Sequence, residues 1–171
     1  MDTLTLLILS LLPCLVIAAG LRDLTTMTIP NWISILLFFG FFPAAFMAGL
    51  SPMTVALHMG VGLVALIAGM IIFAFKFIGG GDAKLMAASC LWLGVGGSGE
   101  FLVYTGLVGG LFGLGLILLR KQVEPWLMNG PGWVMKLMHP RGDIPYGVAI
   151  AAGVLLAFPS SALMTAFAAG G

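Results

Sequence analysis

The sequence predicts an all-α fold, a polytopic membrane bundle of six transmembrane helices with both termini on the non-cytoplasmic side. Three observations predict it. Of 171 residues, 61% are hydrophobic and 8% charged, with a mean hydropathy of +1.17, too apolar for a surface that faces water. The apolar residues come in long runs parted by charged or Gly/Pro breaks. A hydrocarbon core ~30 Å thick needs roughly 20 apolar residues per helix, so the length fits about six spans and no separate soluble domain. Finally, Lys and Arg occur only in alternate connections, the pattern left when basic residues are retained on the cytoplasmic side. A single integral-membrane domain, 1–171, is expected.

Run length and breaks place the spans at 4–21, 32–50, 54–75, 83–98, 101–119 and 144–168. The first ends in Ala18-Ala19-Gly20 like a cleavable signal, but it carries Asp2 and no leading basic residue, and so reads as a retained helix. The fourth, ending at Gly94–Gly99, is the shortest. Arg22, then Lys76 and Lys84, then Arg120, Lys121, Lys136 and Arg141 mark the cytoplasmic side, with loops expected at 22–31, 76–83 and 120–143. Cys14 and Cys90 lie within apolar runs with no CxxC pair, as small buried hydrophobes do.

In so apolar a chain the acids need a reason. Asp23 ends the first run and is followed by Ile29-Pro30-Asn31, which restarts a helix with Pro near its first turn. Taken alone, it reads equally as a helix-end aspartate paired with Arg22. Asp82 ends the triplet Gly79-Gly80-Gly81. A cap for a helix starting at Ala83 explains the acid. Three glycines cost conformational entropy, however, and imply a backbone that takes positive φ or approaches another segment closely.

The expected topology brings both acids to one membrane face. Two carboxylates within a few ångströms do not both ionise easily, so the pair holds one shared proton near neutral pH. The ionised member then takes a proton from water while the protonated member hydrogen-bonds a scissile carbonyl, and the roles exchange as the leaving amine is protonated. Neither a metal nor a cofactor is required.

Gly79-Gly80-Gly81-Asp82-Ala83-Lys84 resembles the GxGD signature of the type IV prepilin peptidases, membrane aspartyl proteases of bacterial pilus and type II secretion systems. The resemblance extends over most of the chain, from Asp23 with Ile29-Pro30-Asn31 to Ile144-Pro145-Tyr146-Gly147 at the last span, in the same order and topology. It implies Asp23 and Asp82 as the catalytic pair. Gly79, Gly80, Gly81, Lys84, Pro30, Asn31, Pro145, Tyr146 and Gly147 would be the supporting motif. It also implies a prepilin substrate cut at the cytoplasmic face of the bacterial inner membrane, with the lipid bilayer as the other partner and no nucleic acid. Larger members of the family carry a cysteine-paired cytoplasmic insertion and also methylate the new N-terminus. Here the first loop is about ten residues long without cysteine, which favours a peptidase-only enzyme similar to the short peptidases of tight-adherence, or Flp-type, pilus systems.

Other residues carry two readings. Asp143 reads as an N-cap before Ile144-Pro145 or as a third carboxylate tuning the pair. Lys84 reads as a residue that snorkels to the interface or holds an anionic partner. His58 and Glu100 fall toward the opposite face, as interfacial residues. In 120–143, Trp126, Leu127, Trp133, Val134, Leu137 and Met138 are interleaved with Lys136, His139 and Arg141, which suits a segment lying in the headgroup layer or docking a substrate leader. The rival function is a proton- or cation-coupled transporter with Gly79–Gly81 as a broken helix, but no repeat of such a helix is evident. Presenilin-like proteases share GxGD, yet their Tyr-Asp and Pro-Ala-Leu signatures are missing.

Overall fold

The computed structural model describes residues 3–123, 131–140 and 142–169. Among these there are helices and no strand: α1 (Thr3–Leu9), α2 (Leu11–Thr26), α3 (Asn31–Met47), α4 (Pro52–Ala74), α5 (Gly80–Val123), α6 (Gly132–Leu137), α7 (Tyr146–Ala157) and α8 (Ala162–Ala169), with a 3-10 turn at Phe158–Ser160. Four stretches are long and apolar enough to cross a membrane: Thr3–Thr26, Pro52–Ala74, Gly80–Gln122 and Tyr146–Ala168. Asn31–Met47 is apolar and shorter.

Local chemistry sets the ends. Pro13 has no N–H to give Leu9, which accounts for the interruption at Ser10. α2 stops where Met27 turns left-handed (φ 57°) and donates its N–H to Asp23 O. Pro30 then holds an extended φ/ψ that starts α3. α4 opens on Ser51, whose hydroxyl accepts from Thr54 N–H, with Pro52 in the first turn.

The expected fourth and fifth segments, 83–98 and 101–119, belong to one element, and the reversal between them lies at Gly94 (φ 67°, ψ −167°) rather than in a loop at 99–100. As a straight helix its 44 residues would span about 66 Å. Instead, Ser98 Oγ donates to Cys90 O at 3.3 Å, and Ile78, Asp82 and Met86 line one cavity with Leu102, Gly106 and Gly110. The element is therefore a hairpin with antiparallel arms 80–93 and 95–123. Gly94 is needed twice over, for its positive φ and because the His58 ring lies 2.6 Å from where a Cβ would stand.

The first arm is the centre of the bundle. Trp92, Leu85 and Leu93 are fully buried with Phe41, Ile33, Leu12 and Ile150 around them, and Trp92 Nε1 donates to Leu37 O at 2.7 Å. Small residues let the neighbours approach. A Cβ on Gly69 of α4 would sit 3.0 Å from Ala83 Cβ, and one on Gly62 3.1 Å from Leu91 Cβ. α4 thus runs antiparallel to this arm, and α7 packs along the other arm. Large apolar side chains such as Phe46, Val64 and Leu111 point outward, a surface suited to lipid. Cys14 is on this outer surface, not buried as expected, whereas Cys90 is inside. His58, expected at the interface, is buried too: Nδ1 hydrogen-bonds Leu91 O at 2.7 Å and the ring stacks on Phe41.

Candidate active site at the open end of the bundle

Both aspartates stand in helices, one turn from an end, rather than in the loops at 22–31 and 76–83. Asp23 lies in the last turn of α2 and Asp82 in the first turn of α5. Each is at least nine-tenths buried, 6% and 9% exposed. The bundle brings them close enough for the charge of Asp23 to act on Asp82.

Asp23 is held from across the bundle. The N–H of Gly147, at the start of α7, donates to its Oδ2 at 2.8 Å. A Cβ on Gly147 would lie 2.7 Å from Asp23 Cβ and 2.9 Å from Oδ2, so glycine is what allows the backbone donor to reach the carboxylate. Gly20, one turn earlier on α2, keeps the same two helices together, with a Cβ there 3.2 Å from Ala151 Cβ.

Asp82 is held by its own helix start. Its Oδ2 accepts from Gly79 N–H at 3.0 Å, the acidic half of a capping box in which the third helical side chain reaches back over the helix end. This corrects the expectation of a helix beginning at Ala83. The glycine triplet is explained by close approach and not by positive φ, which none of the three adopts. A Cβ on Gly79 would stand 2.9 Å from Asp82 Oδ2, and one on Gly81 3.0 Å from Ile29 Cβ and 3.3 Å from Ile29 O. Gly80 has only ordinary contact with the Phe73 ring, at 3.5 Å.

Asp82 Oδ1 is buried with no hydrogen-bond partner. Such an atom costs about 1–3 kcal/mol, and more if charged. Asp82 lines a cavity of about 350 Å³ walled by Ile78, Met86, Leu102, Thr105, Gly106, Gly110, Tyr146 and Ile150. A wider apolar groove of about 600 Å³, with Asn31, Lys84 and Phe38 on its walls, contains neither aspartate.

The remaining motif residues lie at the starts of α3, α5 and α7. Lys84 Nζ donates to Asn31 Oδ1 at 2.9 Å, joining the starts of α3 and α5. Pro145 precedes the first residue of α7, which has no side-chain cap, so Asp143 is not the expected N-cap. Tyr146 lines the Asp82 cavity. Glu100 accepts from Ser160 at the far end. Trp126, Leu127 and Arg141 lie outside the described residues, while Lys136 Nζ reaches Thr26 O at 3.2 Å.

Two residues of this region did not stand out in the sequence. Arg120, read there as a topology-setting cation, is buried. Its guanidinium donates to Leu137 O (2.9 Å), Gly142 O (2.8 Å) and Asp143 O (2.8 Å), fixing the segment that leads into Gly147. Thr105, which follows Tyr104 in an apolar run, joins the cavity wall.

Comparisons with known proteins identify a family and relatives. A model of the type IV leader peptidase family matches residues 10–114, a stretch that includes both aspartates and the Gly94 reversal. Curated relatives from Aeromonas salmonicida and its strain A449, each named a prepilin leader peptidase/N-methyltransferase, are 32% identical over 145 residues, covering 74% of this chain and 47% of the relative. The chain thus spans about half the length of the curated relatives it matches. No solved structure matches it.

Proposed function

The chain belongs to the type IV leader peptidase family, and on that premise we propose that it is a membrane aspartyl endopeptidase. It removes the leader peptide from type IV prepilins, those of Flp-like pili in particular, at the cytoplasmic face of the bacterial inner membrane. The observation that carries this reading is that Asp23 and Asp82 are both buried and within range of each other's charge. Each has one oxygen pinned by a backbone N–H.

The pinned oxygens orient the two carboxyl groups, and the rest of the pair is left to do the chemistry. With one proton shared between them, the ionised carboxylate takes a proton from the attacking water as its oxygen bonds to the scissile carbon. The protonated carboxyl hydrogen-bonds the carbonyl oxygen. When the tetrahedral adduct collapses, the C–N bond breaks and the nitrogen of the departing chain receives a proton from the pair, which returns to its starting state. These steps need no metal or cofactor.

The arms of α5 serve as the fourth and fifth of six spans, in one domain over 1–171. Both termini then lie on the non-cytoplasmic side, and 22–31, 76–83 and 120–143 face the cytoplasm with the site. N-methyl transfer is not part of this activity. α2 ends at Thr26 and α3 begins at Asn31, which leaves no room between them for the cysteine-paired insertion of the larger enzymes.

The test is cleavage of a purified prepilin by the protein in lipid vesicles. Asp23→Asn and Asp82→Asn should each lower the rate at least ~100-fold with membrane insertion unchanged, and chelators should have no effect. Cleavage retained by either variant would sink the dyad.

A further inference from the structure

Asp82 Oδ1 shares its condition with one other buried side-chain atom among the described residues, Thr105 Oγ1, which also has no hydrogen-bond partner. The two residues lie on opposite arms of the α5 hairpin, nearly level with each other: the reversal at Gly94 puts 106 across from 82, as it puts Ser98 across from Cys90. Both line the same cavity of about 350 Å³.

The isolation of the Thr105 hydroxyl is unusual for a helical position. A threonine or serine in a helix ordinarily returns its proton to the carbonyl four residues earlier. Thr26 does so to Arg22 O (2.7 Å), Thr25 to Leu21 O (2.9 Å) and Ser89 to Leu85 O (2.8 Å). Thr105 makes no such bond to Phe101 O. Its hydroxyl rests against Gly153 of α7, at the place a Cβ would occupy. Valine has the same shape and would fill that space without leaving a polar atom unmatched. Helical threonine has two accessible χ1 rotamers, which point the hydroxyl in different directions. A χ1 rotation therefore turns the hydroxyl away from Gly153 without moving the backbone.

We propose that Thr105 is a third polar residue of the reaction site, whose hydroxyl hydrogen-bonds the attacking water together with Asp82. A held water needs about two to four polar partners and a space of roughly 30 Å³. The cavity has the room, and its wall carries Asp82, Thr105 and Tyr146. The threonine hydroxyl accepts a hydrogen bond from the water or donates one to it, and fixes where the lone pair points while the ionised member of the pair takes the proton. No bond to Thr105 forms or breaks.

The inference rests on the aspartate-dyad reading, and the experiment separates the two. Initial rates of prepilin cleavage in lipid vesicles are measured across substrate concentration for the unaltered protein, Thr105→Val, Thr105→Ala, Thr105→Ser and Asp82→Asn. Thr105→Val should lower kcat about 10- to 100-fold with KM within about threefold, because the lost contact is to water and not to the peptide. Thr105→Ala should do the same, and Thr105→Ser, which keeps the hydroxyl, should stay within about threefold of the unaltered rate. The melting temperature of Thr105→Val should be unchanged or higher, since an unmatched hydroxyl is exchanged for a methyl. If Asp82→Asn is inactive while Thr105→Val keeps full kcat, the inference about Thr105 is overturned and the dyad stands. Loss in Thr105→Ser equal to that in Thr105→Val also overturns it, by showing that packing matters and the hydroxyl does not. Cleavage retained by Asp82→Asn overturns both.

Discussion

The two ends of the buried arm 80–93 use the same material differently. At the Gly94 end, His58 Nδ1 bonds Leu91 O and Ser98 bonds Cys90 O. Trp92, nearby, gives its proton to Leu37 O. Polar groups there are paired and the backbone reversal is sealed by an aromatic stack of His58 on Phe41. At the Asp82 end, glycines again allow close approach, but the two buried side-chain atoms left unmatched among the described residues, Asp82 Oδ1 and Thr105 Oγ1, are both found there. An unmatched polar atom lowers stability by about 1–3 kcal/mol. A bundle that satisfies one end and leaves the other open has kept hydrogen-bonding capacity where a substrate or water can use it.

The comparison breaks most easily at Gly147. A methyl there would stand 2.7 Å from Asp23 Cβ, closer than van der Waals contact permits, so Gly147→Ala must push the carboxylate away from the N–H that holds it. Displacement of a reacting group by about 1 Å costs on the order of 100-fold in rate. Gly147→Ala should therefore lose about that much cleavage while still inserting in the membrane. Gly80→Ala, whose Cβ would make only ordinary contact with Phe73, should stay within about twofold. Equal rates for the two variants would show that close approach at Asp23 is not what sets the site.

The closed end should answer in stability instead. Gly94→Ala puts a side chain at positive φ and into the His58 ring, 2.6 Å away, at a cost of about 1–3 kcal/mol for the backbone conformation alone. Thermal unfolding in detergent should show a clear fall in midpoint, with kcat of the folded fraction unchanged. A fall in kcat without a change in midpoint would erase the distinction between the ends.

The sequence disclosed the helical class and drew attention to the two acids because both readings rest on composition and placement: charges are scarce in this chain, and Asp23 and Asp82 stand at the edges of apolar runs. It disclosed less of the helix ends. Arg22, Asp23, Thr25 and Thr26 resemble a loop by polarity, yet α2 continues through them, with Thr25 and Thr26 returning their hydroxyl protons to Leu21 O and Arg22 O. Gly94, Gly96, Gly97 and Gly99 are alike in hydropathy, so the turn was expected after 98. Only the backbone distinguishes Gly94, at φ 67°. Gly79–Gly81 announced that something was needed there without saying which of two needs applied. Thr105 gave no sign, because a hydroxyl in an apolar helix is usually satisfied by its own backbone, and its exception appears only when the arms are brought side by side.

The smallest effect is expected at Lys84, which belongs to the open end by position but not by chemistry. Its ammonium is satisfied by Asn31 Oδ1 at 2.9 Å, in an exposed pair that joins the start of α3 to α5. An exposed contact of this kind contributes about 0.2–1 kcal/mol at most, and it does not touch either carboxylate. Lys84→Met and Asn31→Leu should each lower the unfolding midpoint slightly, and the double variant should lower it by less than the sum, since each single change already removes the same contact. Cleavage should stay within about threefold in all three. Additive midpoints would mean that the two residues do not depend on each other. A large loss of cleavage in Lys84→Met with none in Asn31→Leu would instead give the lysine a direct role beside Asp82, and the open end would then contain a cation as well as its unmatched oxygens.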